Sequence, residues 1–206
     1  MRIVNLSDTH GNHQSVKVPD GDILIHAGDF TLSGDDKDVI SFNEWLGTLP
    51  HKYKVCIAGN HDLLLERHYS SRELITNAIY LHDSSIVLDG ISIYGTPYQV
   101  EFNDWAFGLP RGSLELKAKR DAIPPDTDIV VTHDPPYLIG DLTSGGVHTG
   151  CYDLYYRLYK IKPKLHIFGH IHTGYGIHQQ GWGKCINASI CNDWNEIENS
   201  PIVIDI

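Results

Sequence analysis

Seven residues of this chain have the types and positions to hold divalent metal ions: Asp8, His10, Asp29, Asn60, His133, His170 and His172. Each follows a short apolar run. Ile3-Val4-Asn5-Leu6-Ser7 leads into Asp8-Thr9-His10, and Ile23-Leu24-Ile25-His26-Ala27-Gly28 leads into Asp29. Val55-Cys56-Ile57-Ala58-Gly59 leads into Asn60-His61-Asp62, Ile129-Val130-Val131-Thr132 into His133, and Leu165-His166-Ile167-Phe168-Gly169 into His170-Ile171-His172. Singly, each has an ordinary explanation: an Asp after a strand caps or turns the chain, and a lone His or Asn is commonly structural. The same donor chemistry at five run ends points instead to one site. Carboxylates, imidazoles and an amide oxygen together suit Mn²⁺, Fe²⁺ or Zn²⁺ better than Mg²⁺ or Ca²⁺. Seven donors are too many for one ion that must also bind solvent, and they fit two ions sharing a bridge. Two ions about 3.5–4 Å apart clamp an in-line displacement at phosphorus and lower the pKa of bound water toward about 7.

The runs that deliver these residues have the length and apolarity of buried strands in a two-sided sheet. Helical patterns alternate with them, which predicts an α/β architecture. Ser33-Gly34-Asp35-Asp36 opens a helix that carries Val39, Phe42, Trp45, Leu46 and Leu49 at helical spacing and stops at Pro50. Further helices are predicted over Ser71 to Asn77, Ser113 to Ala122 and Tyr152 to Lys162. Asp89-Gly90 between two alternating runs predicts a hairpin. Thr96 to Gly112 reads as loop, and Tyr175 to Ile206 as antiparallel strands. No repeat, linker or low-complexity segment divides the chain, so residues 1–206 read as one domain.

With 206 residues, 41% of them apolar, the chain can bury a continuous core. Its formal charge of −10 excludes a bulk electrostatic grip on a phosphate backbone, so no long nucleic acid partner is expected. The positive centre for an anionic substrate would come from metal. No apolar stretch is long enough to span a membrane, and Ser7-Asp8-Thr9-His10 interrupts any signal peptide. Four widely spaced cysteines form no C-x-x-C and read as reduced, buried thiols, which points to the cytoplasm.

Asp8-x-His10, Gly28-Asp29, Gly59-Asn60-His61-Asp62, His133 and Gly169-His170-x-His172, in that order, resemble the signature of the calcineurin-like metallophosphoesterases. The stretches Gly21 to Thr31, Asn43 to Gly47, Leu109-Pro110-Arg111-Gly112, Thr132 to Pro136 and Asn187-Ala188-Ser189 are similar to that family's metallophosphoesterase-domain-containing branch, over nearly the whole chain. The resemblance implies a four-layer αββα sandwich with a two-metal site at one edge. Asp8, His10 and His172 would hold the first ion, and Asn60, His133 and His170 the second, with Asp29 as the bridge. His61 would stand off the metals and act on the leaving-group oxygen, while Asp62 fixes its ring. Asp62 stands where many members carry Glu. Leu32 stands where purple acid phosphatases place a tyrosine, so no tyrosinate–iron chromophore is expected.

These readings predict a dinuclear, Mn²⁺-preferring phosphoesterase, with Fe²⁺, Zn²⁺ and Mg²⁺ as alternatives. A phosphodiesterase for small phosphoesters, cyclic nucleotides among them by family analogy, comes before a monoesterase. Asn12, His13, Trp105 and Tyr137 are the candidate substrate contacts. The rivals are a nuclease, a protein phosphatase and a catalytically silent scaffold on the same fold. Both complete ligand sets and His61 speak against the last.

Overall fold

A computed structural model describes residues 1–206. Its strands and helices follow in the order β1 Arg2–Leu6, β2 Ile23–Ala27, α1 Asp36–Thr48, β3 Tyr53–Ile57, α2 Leu63–Arg67, β4 Ile79–Tyr80, β5 Ser84–Leu88 and β6 Ile91–Thr96. Then come β7 Gln99–Val100, β8 Gly108–Leu109, α3 Leu114–Asp121, β9 Ile129–Thr132, α4 Tyr152–Ile161, β10 Leu165–Phe168, β11 Gly176–Gln180, β12 Gly183–Asn187 and β13 Ile202–Asp205. One sheet has the order β13-β1-β2-β3-β4 and a second the order β11-β12-β10-β9-β6-β5.

Side-chain alternation along these strands builds four layers. Ile23, Ile25 and Ala27 of β2 face inward and meet Ile129, Val131 and Ile167 of the second sheet in one buried cluster. Leu24, between them, points to the other face, where Val4, Leu6 and Cys56 pack on Val39, Phe42, Trp45 and Leu46 of α1. On the far side Tyr94 and Val130 pack on Leu116 of α3 and on Leu154 and Leu158 of α4. The order helix, sheet, sheet, helix is the αββα sandwich.

Local chemistry sets the element ends. Asp35 accepts a hydrogen bond from Asp38 N (2.8 Å) and Ser113 from Leu116 N (3.1 Å), capping α1 and α3. Asp89 and Gly90 both take positive φ (47° and 85°), the conformation a two-residue hairpin between β5 and β6 requires.

Three expectations need correction. The helix predicted over Ser71 to Asn77 is a 3₁₀ turn over Tyr69–Leu74, preceded by the short α2. Asn43 Oδ1 accepts from both Thr76 N and Asn77 N (2.8 Å each), so those amides serve a side chain of α1 rather than a helical ladder. The Thr96 to Gly112 loop contains the short parallel pair β7 and β8. The C-terminal strands do not form one antiparallel unit. β11 and β12 do, but β12 runs parallel to β10, and β13 crosses to the first sheet to pair antiparallel with β1. Ile202 and Ile204 of β13 thereby join the intersheet core.

Arg120 of α3 is fully buried and donates to both oxygens of Asp134 (2.7 and 2.9 Å), the residue after His133. Arg120→Ala would leave a buried carboxylate without its cation, and is expected to lower unfolding free energy by about 3–5 kcal/mol. Urea denaturation checks this, and an unchanged midpoint would show that water already compensates Asp134.

Candidate metal centre

Strands β1, β2 and β3 of one sheet and β9 and β10 of the other end at the same edge of the sandwich. A bridge between Ser7 and Ser189, with Ser7 N donating to Ala188 O (2.9 Å), joins the two sheets there. Asp8, His10, Asp29 and His170 all lie in the left-handed backbone region, with φ of 57°, 43°, 56° and 68°. Such conformations cost of order 1–3 kcal/mol each and concentrate where function holds them. Here they turn the chain sharply as it leaves the sheet. Close approach fixes two glycines: a Cβ on Gly59 would collide with Asp29, and one on Gly169 with Asp8.

The ligand atoms of Asp8, His10 and His172 lie within 4.8 Å of one another; so do those of His10, Asp29 and His61, and those of Asp8, Asp29 and His133. Asp8, His10 and Asp29 thus each belong to two groups. Asn60 Oδ1 lies 3.1 Å from His133 Nε2, which also lies 3.2 Å from Asp29 Oδ2. Three of the imidazoles are oriented by one device. His133 Nδ1 bonds Ala27 O (2.8 Å), His172 Nδ1 bonds Asn192 O (2.7 Å) and His61 Nδ1 bonds Leu32 O (2.7 Å). A backbone acceptor on Nδ1 leaves Nε2 for the site.

Asp8 is held by Ser189 Oγ (2.7 Å) and by the backbone amide of His170, 3.1 Å from each carboxylate oxygen. The ring of His170 stands beside that of His133, centroids 5.2 Å apart, outside the three groups. Ser189 is a residue whose part the sequence reading missed. Its signal was a sixth run end, Cys185-Ile186-Asn187, on the strand next to β10.

Asp62 does not touch the ring of His61. Its carboxylate accepts from Asp29 N (3.0 Å), Thr31 N (3.0 Å), Thr31 Oγ1 (2.8 Å) and Gly59 N (2.8 Å). The two turns that present Asp29 and Asn60 leave these amides without a ladder partner, and Asp62 supplies one. The orienting role expected of it belongs to the Leu32 carbonyl. His13 is likewise removed from the substrate contacts: it is buried, bonded to Ser41 Oγ (3.0 Å), and packed on Phe42 and Trp45. Tyr137 stacks on Tyr152 (3.8 Å). Asn12 donates to Asn195 O (3.0 Å), tying its loop to the one that carries Trp194. Trp105 packs against the ring of His61.

Electrostatics shows what the cluster is built for. Burial works against the charge on Asp8, yet the hydrogen bond to His172 and the rings of His133, His172 and His10 hold its carboxyl well below the usual range. Asp29 is drawn down in the same way by His133. Burial alone would lower His133, but Asp29 and Asp8 push it up to about 10. Asp8 likewise overrides burial at His172 and pushes it to about 9. His170, where burial and the nearby His133 dominate, falls to about 4. Two buried carboxylates are therefore neutralised by imidazolium protons, and His10 Nε2 faces His172 Nε2 at 3.3 Å. Carboxylates and imidazoles brought this close together suit divalent cations, and the residues fit a metal pair on that ground.

A ligating imidazole must shed its proton. At pH 7 both His133 and His172 carry one, so metal loading is expected to release about two protons per protein. Affinity should rise with pH until the rings are neutral, near pH 9 to 10. Calorimetry in buffers of different ionisation enthalpy measures the release, and a binding heat that ignores the buffer would contradict it.

Two cavities border this edge, each lined by one candidate ligand. One, of about 400 Å³, includes His172, Tyr175, Asn192, Asp193, Trp194 and Glu198. The other, of about 480 Å³, includes His170, Ile171, Val100, Phe102, Arg111 and Asp134.

Comparison with known proteins bears on this edge. A family profile described as calcineurin-like phosphoesterase matches residues 1–174. The human Metallophosphoesterase domain-containing protein 1 is 40% identical over 231 residues, covering 100% of this chain and 71% of that protein. A Caenorhabditis elegans UPF0046 protein is 38% identical over 238 residues, covering 100% of this chain and 60% of its own length. Among solved structures, TT1561 of Thermus thermophilus superposes with a TM-score of 0.62 at 14% identity, covering 90% of this chain and 88% of that one, a likeness of fold alone.

Proposed function

This chain belongs to the calcineurin-like phosphoesterase family, whose members are metal-dependent phosphoesterases, and from that premise we propose that it is a phosphodiesterase for small phosphoesters. One observation carries the choice of a diester: two cavities border the donor edge, one lined by His172 and one by His170. A phosphodiester has two organic arms to place, a monoester only one. The formal charge of −10 favours short substrates over long polyanions. Val100, Phe102 and Ile171 give the second cavity apolar surface suited to a planar base, and cyclic nucleotides fall within the proposed class.

Asp8, His10 and His172 would hold one divalent ion, and Asn60, His133 and His170 the other, with Asp29 between them; Mn²⁺ is the proposed metal. Bound there, the ions would polarise the phosphoryl oxygens and bring the pKa of a coordinated water toward about 7. The chain supplies the rest. Leu32 holds His61 by Nδ1, so Nε2 points at the reacting centre, and Asp29 Oδ1 fixes the His61 backbone through its amide (2.8 Å). Protonated at Nε2, His61 delivers that proton to the departing alkoxide as general acid. Asp62 holds the turns that aim Asp29 and Asn60. The four cysteines are free and buried, consistent with the cytoplasm as the proposed compartment. No helix is long and apolar enough to cross a membrane.

The test is a screen of mono-, di- and cyclic phosphoesters with metal-stripped protein reloaded with Mn²⁺, Fe²⁺, Zn²⁺ or Mg²⁺. Diester turnover above monoester turnover, highest with Mn²⁺, is expected. Turnover of monoesters alone would overturn the substrate class.

A further inference from the structure

We propose that Trp105 is a positioning residue for His61, holding the imidazole in the pose from which it serves the leaving group; this rests on the general-acid reading of His61 given above. His61 is only half-buried, so burial does not immobilise its ring, and Asp62 does not reach it. What the ring touches is the Leu32 carbonyl at Nδ1 (2.7 Å), the indole of Trp105 (centroids 4.2 Å apart, planes 35° apart) and the edge of His10 (4.5 Å, 79°). A single hydrogen bond leaves an imidazole free to swing about it. A flat wall on one side and a ring edge on another remove that freedom.

The turn that delivers Trp105 is tied to the same motif. Ala106 N donates to Asn60 O (3.1 Å), the carbonyl immediately before His61. Phe107 N donates to Glu66 Oε1 (2.5 Å) and Gln99 Nε2 to Ala106 O (3.1 Å). Phe107 is buried with φ of 58°, a left-handed conformation rare for a bulky residue and kept only where the surroundings dictate it. Strain and anchoring converge on the residues that place the indole. Trp105 lines neither cavity beside the cluster, and His61 already covers part of its surface. Both facts separate it from a substrate-stacking side chain.

The experiment compares wild type, Trp105→Phe, Trp105→Ala, His61→Ala and the double variant Trp105→Ala/His61→Ala. The kinetic substrates are two aryl phosphodiesters differing in leaving group, 4-nitrophenol and unsubstituted phenol. Trp105→Ala should lower kcat by roughly 10- to 100-fold on the phenol ester, part of what general acid catalysis provides. The loss should be smaller on the nitrophenol ester, whose leaving group needs less protonation, with KM unchanged. Trp105→Phe should recover most of kcat, and the double variant should be no slower than His61→Ala. A second readout needs no metal and no turnover: in long-range ¹H–¹⁵N spectra of metal-free protein, His61 should be a single Nδ1-protonated tautomer carrying an indole ring-current shift. In Trp105→Ala that shift should vanish and the tautomers should average. A raised KM at unchanged kcat, additive losses in the double variant, or an unaltered His61 spectrum would overturn the proposal. If the spectrum responds but His61→Ala is fully active, the positioning stands and the general-acid reading falls.

Discussion

His61→Ala is expected to lower kcat by roughly 10²- to 10⁴-fold, the range that one positioned general acid contributes, while the protein keeps its full complement of metal. The separation of the two effects is the point of the experiment. Nδ1 of His61 is occupied by Leu32 O, and the backbone amide of His61, which alanine retains, is what donates to Asp29 Oδ1 (2.8 Å). Removing the ring therefore deletes one Nε2 from the cluster and leaves the placement of Asp29 intact. The ring nitrogen does lie within 4.8 Å of ligand atoms of His10 and Asp29, so the geometry alone would also admit a ligand. Elemental analysis alongside kinetics decides between them. A variant that loses an ion together with its activity would make His61 a ligand and remove it from proton transfer.

Asp29→Asn is expected to lower kcat by at least about 10³-fold, since a misplaced metal pair forfeits several kcal/mol of charge stabilisation and each 1.36 kcal/mol is tenfold. The substitution preserves volume and removes the charge. Asp29 belongs to two of the three donor groups, and its carboxylate sits 3.2 Å from His133 Nε2 and accepts the His61 amide. An amide in its place offers one oxygen instead of two and no charge with which to share ions. Metal stoichiometry should drop from two ions to at most one. Two retained ions with near wild-type turnover would show that Asp8, which also belongs to two groups, is the shared carboxylate.

The site was legible because its signal is one-dimensional. A buried strand is a short apolar run, and whatever follows it stands at the sheet edge, so Asp8, Asp29, Asn60, His133 and His170 could be placed along the chain before any fold was known. The division of those strands between two sheets was not legible. β12 and β13 both fall in a stretch that reads as antiparallel strands, yet one pairs beside β10 and the other beside β1, because pairing depends on which core each face completes. Proximity in sequence misled twice. Asp62 follows His61 directly, yet its carboxylate goes to the amides of Asp29, Thr31 and Gly59, which need an acceptor more than the ring does. His13 lies three residues past His10, yet it turns onto Phe42 and Trp45 of α1. The contact between Trp105 and His61 joins two loops, and no periodicity announces such a contact.

Crystals of this chain soaked in Mn²⁺ and measured with anomalous scattering would test the metal pair directly. Two anomalous peaks are expected, both within ligand distance of Asp29, one shared with Asp8, His10 and His172 and the other with Asn60, His133 and His170. A cluster without density, with Mn²⁺ bound only at surface carboxylates, would contradict the assignment of this edge as a dinuclear centre.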